Sequence, residues 1–162
     1  MNWVIWFIFL TVATANIAFD VHYENAVAAV EESDYIRAMT HLTKAHSINS
    51  RHVGVNKMLG ALYFMEENYE TSKFHFSQAV QHSNWKDPNI IASYIESLRL
   101  GDDITVLQEC EKVLSMYRDD YTVLYACAKA TMDNNLHETA ADLFVQALHI
   151  NSNDIDVWQR LG

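Results

Sequence analysis

Proline and glycine are nearly missing: the 162 residues contain one proline and four glycines. Collagen-like, low-complexity and turn-dense all-β chains each need far more of this punctuation, so those classes are excluded. Cysteine is equally scarce. Two thiols make no disulfide framework and no zinc site, and no metal-ligand spacing surrounds them. Positive charge is in deficit, with 11 Lys plus Arg against 21 Asp plus Glu and a net charge of −10. A field of that sign repels phosphate backbones and anionic membrane surfaces, so nucleic acid is not an expected partner. What remains is a chain that is 50% hydrophobic and 12% aromatic, the composition of an ordered helical protein.

The apolar residues start at once. Trp3 to Leu10 read WVIWFIFL, TVATA follows, and no charged side chain precedes Asp20. An apolar run ending in the small-x-small site Ala13-Thr14-Ala15 predicts a signal peptide over 1–15, cleaved before Asn16, although no Lys or Arg precedes the run. A spanning helix needs about 20 predominantly apolar residues. Trp3 to Phe19 supplies seventeen, interrupted by Thr11, Thr14 and Asn16. The expected location is the secretory pathway, in the ER lumen or outside the cell. The alternative is a membrane anchor through residues 3–19, left uncleaved. No glycosylation sequon, retention tail or lipidation motif narrows the compartment.

From residue 19 onward the chain matches itself at a shift of 34 residues without a gap. Small residues recur where two helices must approach closely: Ala26, Gly60 and Ala128 in a first helix, Ala38, Ser72 and Ala140 in a second. Ala45, Ala79, Val113 and Ala147 form a further column, preceded by Leu42, Phe76, Cys110 and Phe144. Tyr35, Tyr69 and His137 open three of the four second helices. The third unit departs, placing Tyr94 and Val106 at the close-approach positions, so its helices are expected to lie farther apart.

These columns resemble the tetratricopeptide repeat, which sets Trp, Leu-Gly and Tyr on one helix and Ala, Phe and Ala on its partner. The resemblance implies an all-α helix-turn-helix solenoid of four full repeats plus the start of a fifth. The array spans 16–162, with repeats 19–52, 53–86, 87–120 and 121–154 and a partial repeat 155–162 carrying Trp158, Leu161 and Gly162. The proline that usually closes a repeat is replaced by Ser50, Asn84, Arg118 and Ser152, so other residues must set the turns. Asp87 before Pro88, Asp120 and Asp154 are suited to cap the helices that follow. A final helix with Trp158 and Leu161 unpartnered reads as the leading part of a longer protein.

The resemblance also implies a concave wall built from the first helix of each repeat. Its fifth and ninth positions hold Tyr23 and Val27, Lys57 and Ala61, Ile91 and Ile95, Tyr125 and Lys129; Phe64, Met65, Leu98 and Met132 extend it. Neither a Lys/Asn carboxylate clamp nor an asparagine ladder is present. The expected site is therefore a largely apolar groove for an extended or helical polypeptide segment. Packing of the same residues on neighbouring helices is the plainer account.

Cys110 and Cys127 fall in core columns of adjacent helices, either as a lumenal disulfide or as two buried thiols. The eight histidines include no i, i+4 pair, so solvated helix faces are expected to account for most. No nucleophile triad, phosphate loop or carboxylate pair stands out, and no catalytic residue, cofactor or metal is expected. The function these features imply is a non-catalytic scaffold or co-chaperone-like adaptor with a protein or peptide partner. The alternative is the recognition arm of a larger glycosyl- or methyltransferase-like enzyme, its catalytic domain beyond Gly162.

Overall fold

A computed structural model describes residues 3–161. Met1 and Asn2, in the expected signal segment, and Gly162, in the expected fifth Leu-Gly pair, lie outside the described residues, as do the side chains of Val4, Ile5, Phe7, Phe9 and Leu161. The described chain is all helix and turn: α1 (Trp3–Glu31), α2 (Tyr35–Ile48), α3 (Val53–Met65), α4 (Tyr69–His82), α5 (Pro88–Leu100), α6 (Val106–Met116), α7 (Tyr121–Asp133), α8 (His137–Ile150) and α9 (Ile155–Leu161). Odd and even helices pair as helix-turn-helix units, and each unit stacks on the next.

Side chains with a free acceptor start most of these helices. Asp34 accepts from the Arg37 N–H at 3.0 Å, Asn68 from Thr71 at 3.2 Å, and Asp87 from Asn89 and Ile90 at 3.0 and 3.3 Å. Asp120 and Asp154 do the same for α7 and α9, so the three expected aspartate caps are all made. Unexpectedly, His52 caps α3, its Nδ1 accepting from the Val55 N–H at 3.2 Å.

Turns within a pair are closed without glycine in the left-handed position. Ser33, Glu67, Asp102 and Asn135 hold φ of 59°, 58°, 51° and 62°. The residue after each donates its N–H back five positions, Asp34 to Ala29, Asn68 to Tyr63, Asp103 to Leu98 and Leu136 to Thr131, at 2.8 to 3.0 Å. That bond satisfies a carbonyl which the helix end would otherwise leave open.

The second-helix columns pack as the 34-residue period requires. Ala38, Ala45, Ser72, Ala79, Val106, Val113, Ala140 and Ala147 are buried, and so are Leu42, Phe76, Cys110 and Phe144. Helix α5 breaks the period. Val53 to Pro88 is a step of 35 residues and Pro88 to Tyr121 a step of 33. One residue is inserted in the α4–α5 loop, where Asn84 and Trp85 both adopt positive φ. It is removed again in the α5–α6 turn, where α6 begins three residues into its repeat's helical stretch. A one-residue slip turns a helix by about 100°. Ile95, rather than Tyr94, therefore stands at the close-approach position of Gly60 and Ala128.

Side-chain size compensates within that column. A Cβ built on Gly60 lies 2.9 Å from the Phe76 ring, so the bulky ring demands the glycine. In the third repeat Ile95 is bulky, and the position equivalent to Phe76 is Cys110. The α5–α6 seam is much shorter than the α1–α2, α3–α4 and α7–α8 seams. Helix α5 instead packs broadly on α4 and α7.

Helix α1 runs unbroken through Ala13-Thr14-Ala15 and into the part that packs on α2. Before Phe19 its described side chains are exposed, Trp3 and Trp6 at 89% and 74%. Among the described residues no helix is long and apolar enough to cross a membrane.

Candidate functional site

A cavity of about 490 Å³ opens between α3, α5 and α7. Ala61, Phe64 and Met65 form one wall, Ala92 and Tyr125 the other, with the Phe76 ring behind them. Polar groups reach it from Asn89, Ser93 and Glu96 on α5 and from Tyr121, Thr122 and Lys129 on α7. Apolar walls with a few convergent polar groups are the usual make-up of a ligand-binding concavity.

Its charges are paired. Glu96 accepts from Arg99 Nε and Nη2 at 3.0 and 2.8 Å and forms an ion pair with Lys129. Arg99 also donates to Asp133 at 2.6 Å. The Glu96, Arg99 and Lys129 side chains are only 17–18% exposed, so this network ties α5 to α7 beneath the cavity. Lys129 Nζ lies 4.5 Å from the Tyr125 ring centroid, a cation–π contact that holds the ring against the wall. Two cations facing two carboxylates leave no net charge there.

Of the twelve wall residues read from the sequence, the fold brings Ala61, Phe64, Met65, Tyr125 and Lys129 together around this cavity. Ile91, Ile95 and Leu98 require correction. They are buried to within 2% of complete in the main core, because the slip of α5 turns them inward and presents Asn89, Ala92, Ser93 and Glu96 in their place. The slip was legible at Asp87. The caps His52 and Asp120 each end a 34-residue unit, whereas Asp87 begins one. Tyr23 does not reach the cavity; it stacks on Phe19, contacts the His52 ring, and its hydroxyl stands where a Cβ on Gly54 would be. Val27 is half-buried on α1 and Lys57 exposed on α3. Met132, half-buried, places its sulfur 3.2 Å from His137 Nδ1.

Cys110 and Cys127 are free buried thiols. The neighbouring Cys110 and burial together push the Cys127 thiol up, which keeps it neutral. The expectation of solvated histidines needs correction as well. His22, His41, His46, His52 and His82 are half-buried and His75 is 8% exposed, leaving only His137 and His149 in solvent. The seams of the first two repeats are aromatic: His75 stacks on Tyr63 and meets His46 edge-on. Imidazole fills these seams as a flat ring with a polar edge, a use that helical spacing alone does not reveal.

No protein-family model and no curated protein matches the chain. Solved structures do. A MamA fragment from Desulfovibrio magneticus RS-1 superposes with a TM-score of 0.77 at 12% identity, over 89% of this chain and 81% of that one. PilF of Pseudomonas aeruginosa gives 0.72 at 14%, over 91% and 68%. YrrB, described as a TPR protein with an unusual peptide-binding site, gives 0.68 at 14%, over 84% and 70%. At such identities the likeness is one of fold. The chain is similar to tetratricopeptide proteins and has the fold of a tetratricopeptide solenoid.

Proposed function

We propose that this chain is a non-catalytic protein-interaction scaffold, an adaptor of the secretory pathway that holds a polypeptide segment against the α3–α5–α7 cavity. The observation that carries the reading is the cavity itself: apolar walls from three consecutive first helices, open to solvent, with charged groups that already neutralise one another. An extended segment suits it, with an apolar side chain between Phe64 and Tyr125 and main-chain groups within reach of Asn89, Ser93 and Thr122. Capture then tracks burial of apolar surface, at about 25 cal/mol per Å² before ordering costs, and responds weakly to salt. The peptide-binding description of YrrB and the shared fold support a protein partner. The apolar N-terminal run ending at Ala13-Thr14-Ala15 supports the secretory assignment.

Two experiments test this reading. Ala61→Trp fills the cavity from an exposed position, so peptide-array signals should drop at least about tenfold while the helical circular-dichroism spectrum is kept. Undiminished binding would move the site elsewhere. Sequencing of the protein recovered from the lumen or medium should begin at Asn16; an intact membrane-extracted N terminus would refute the secretory part.

A further inference from the structure

Among the half-buried histidines one pair stands apart. His22 on α1 and His41 on α2 point their Nδ1 atoms at each other across 3.1 Å, with ring centroids 5.3 Å apart and planes tilted by 48°. Two neutral imidazoles hold that contact by one Nδ1–H donating to the other lone pair. The same separation is the bite of a metal ion. A divalent ion about 2.05 Å from each nitrogen would subtend an angle of about 98°, between square-planar and tetrahedral.

We propose that His22 and His41 form a bis-imidazole site for a divalent transition-metal ion of the Zn²⁺, Ni²⁺ or Cu²⁺ class, which cross-links α1 to α2. The metal takes the place of the shared proton. Each ring then ligates through Nδ1 and carries its hydrogen on Nε2, so the exchange is a change of tautomer in one ring and balances without a redox step. Each ring must turn by about 40° to aim its lone pair at the ion, because the two nitrogens now meet nearly head-on. Burial and the neighbouring His22 hold His41 below its ordinary value. Lys44 and Arg37 act in the same direction and also repel the incoming cation. Among the described residues no third His, Cys, Asp or Glu completes the set, so water fills the other coordination positions and binding is weak and reversible.

The test uses the whole chain, freed of metal, with Zn²⁺ and Ni²⁺ added in stepwise excess. The melting temperature should rise with metal concentration by mass action and fall back on chelation. His22→Gln and His41→Gln, which keep a polar side chain of similar size, should each lose that rise, whereas His46→Gln and His149→Gln should retain it. In NMR spectra Ni²⁺ should broaden the ring protons of His22 and His41 before those of the other six histidines. No rise in the wild type, a rise kept in both variants, or broadening that begins elsewhere would overturn the proposal and leave the contact as a hydrogen bond alone. None of these outcomes depends on the peptide cavity.

Discussion

The carboxamide oxygen of Asn56 accepts a hydrogen bond from Nδ1 of His75 across 3.0 Å in the core between α3 and α4. The orientation is determined, since the Asn56 amide donates to the carbonyls of Ser50 and His52 at 2.8 and 3.1 Å. His75 is thus held neutral with its hydrogen on Nδ1. Burial, and to a lesser degree His46, pushes it down to about 4. A base depressed on folding binds more protons in the unfolded chain, so its contribution is full above about pH 6.5 and is lost as pH falls towards 4. His52 is depressed too, by burial, and protonation would remove its cap on α3. The stability of the wild type should fall by about 3 kcal/mol across that window, and His75→Gln should flatten the slope while keeping a donor to Asn56. Urea titrations at stepped pH measure it; an unchanged slope in the variant would assign the acid loss to other groups.

Gly60→Ala places a Cβ 2.9 Å from the Phe76 ring, which is 4% exposed and has nowhere to move. The gain in helix propensity, about 1 kcal/mol, is outweighed by overpacking of about 1 to 3 kcal/mol. A net loss of about 1 kcal/mol or more is expected in chemical denaturation. Gly60→Ala combined with Phe76→Leu should recover part of it.

Glu67 is exposed and holds φ of 58° at the α3–α4 turn. A side chain in that region is strained by about 1 kcal/mol or more, part of which glycine recovers against its own greater freedom in the unfolded chain. Glu67→Gly should therefore raise stability by about 0.5 to 1 kcal/mol, against the usual cost of adding a glycine. A destabilised variant would show that the carboxylate makes a contact which the turn geometry does not reveal.

The rotation of α5 is open to chemical mapping. Ala92→Cys should react with a thiol reagent in the native state, whereas Ile91→Cys, like the native Cys110 and Cys127, should react only on unfolding. Ile95→Asp, which buries an unpaired carboxylate, should unfold the third repeat or cost about 3 kcal/mol or more. If Ile91→Cys labels as fast as Ala92→Cys, α5 follows the ungapped period after all.

The period of small and large apolar residues determined, by itself, the helical class, the pairing of helices and the second-helix core. Ala38, Phe76, Val113 and Ala147 are buried because side chains repeating on one stripe must be covered by a neighbour. The aspartate caps were equally legible, being bonds between residues two or three apart. Only the tertiary structure decided which face of α5 lines the cavity and that half-buried imidazoles fill the seams of the first two repeats. The insertion before α5 and the deletion after it cancel, so the columns on either side stay in step and the displaced cap Asp87 is the one mark the slip leaves in the sequence. The His22–His41 contact spans 19 residues and two helices. Contacts of that kind arise only when packed helices bring distant positions together, and a one-dimensional period carries no record of where around its axis each helix finally comes to rest.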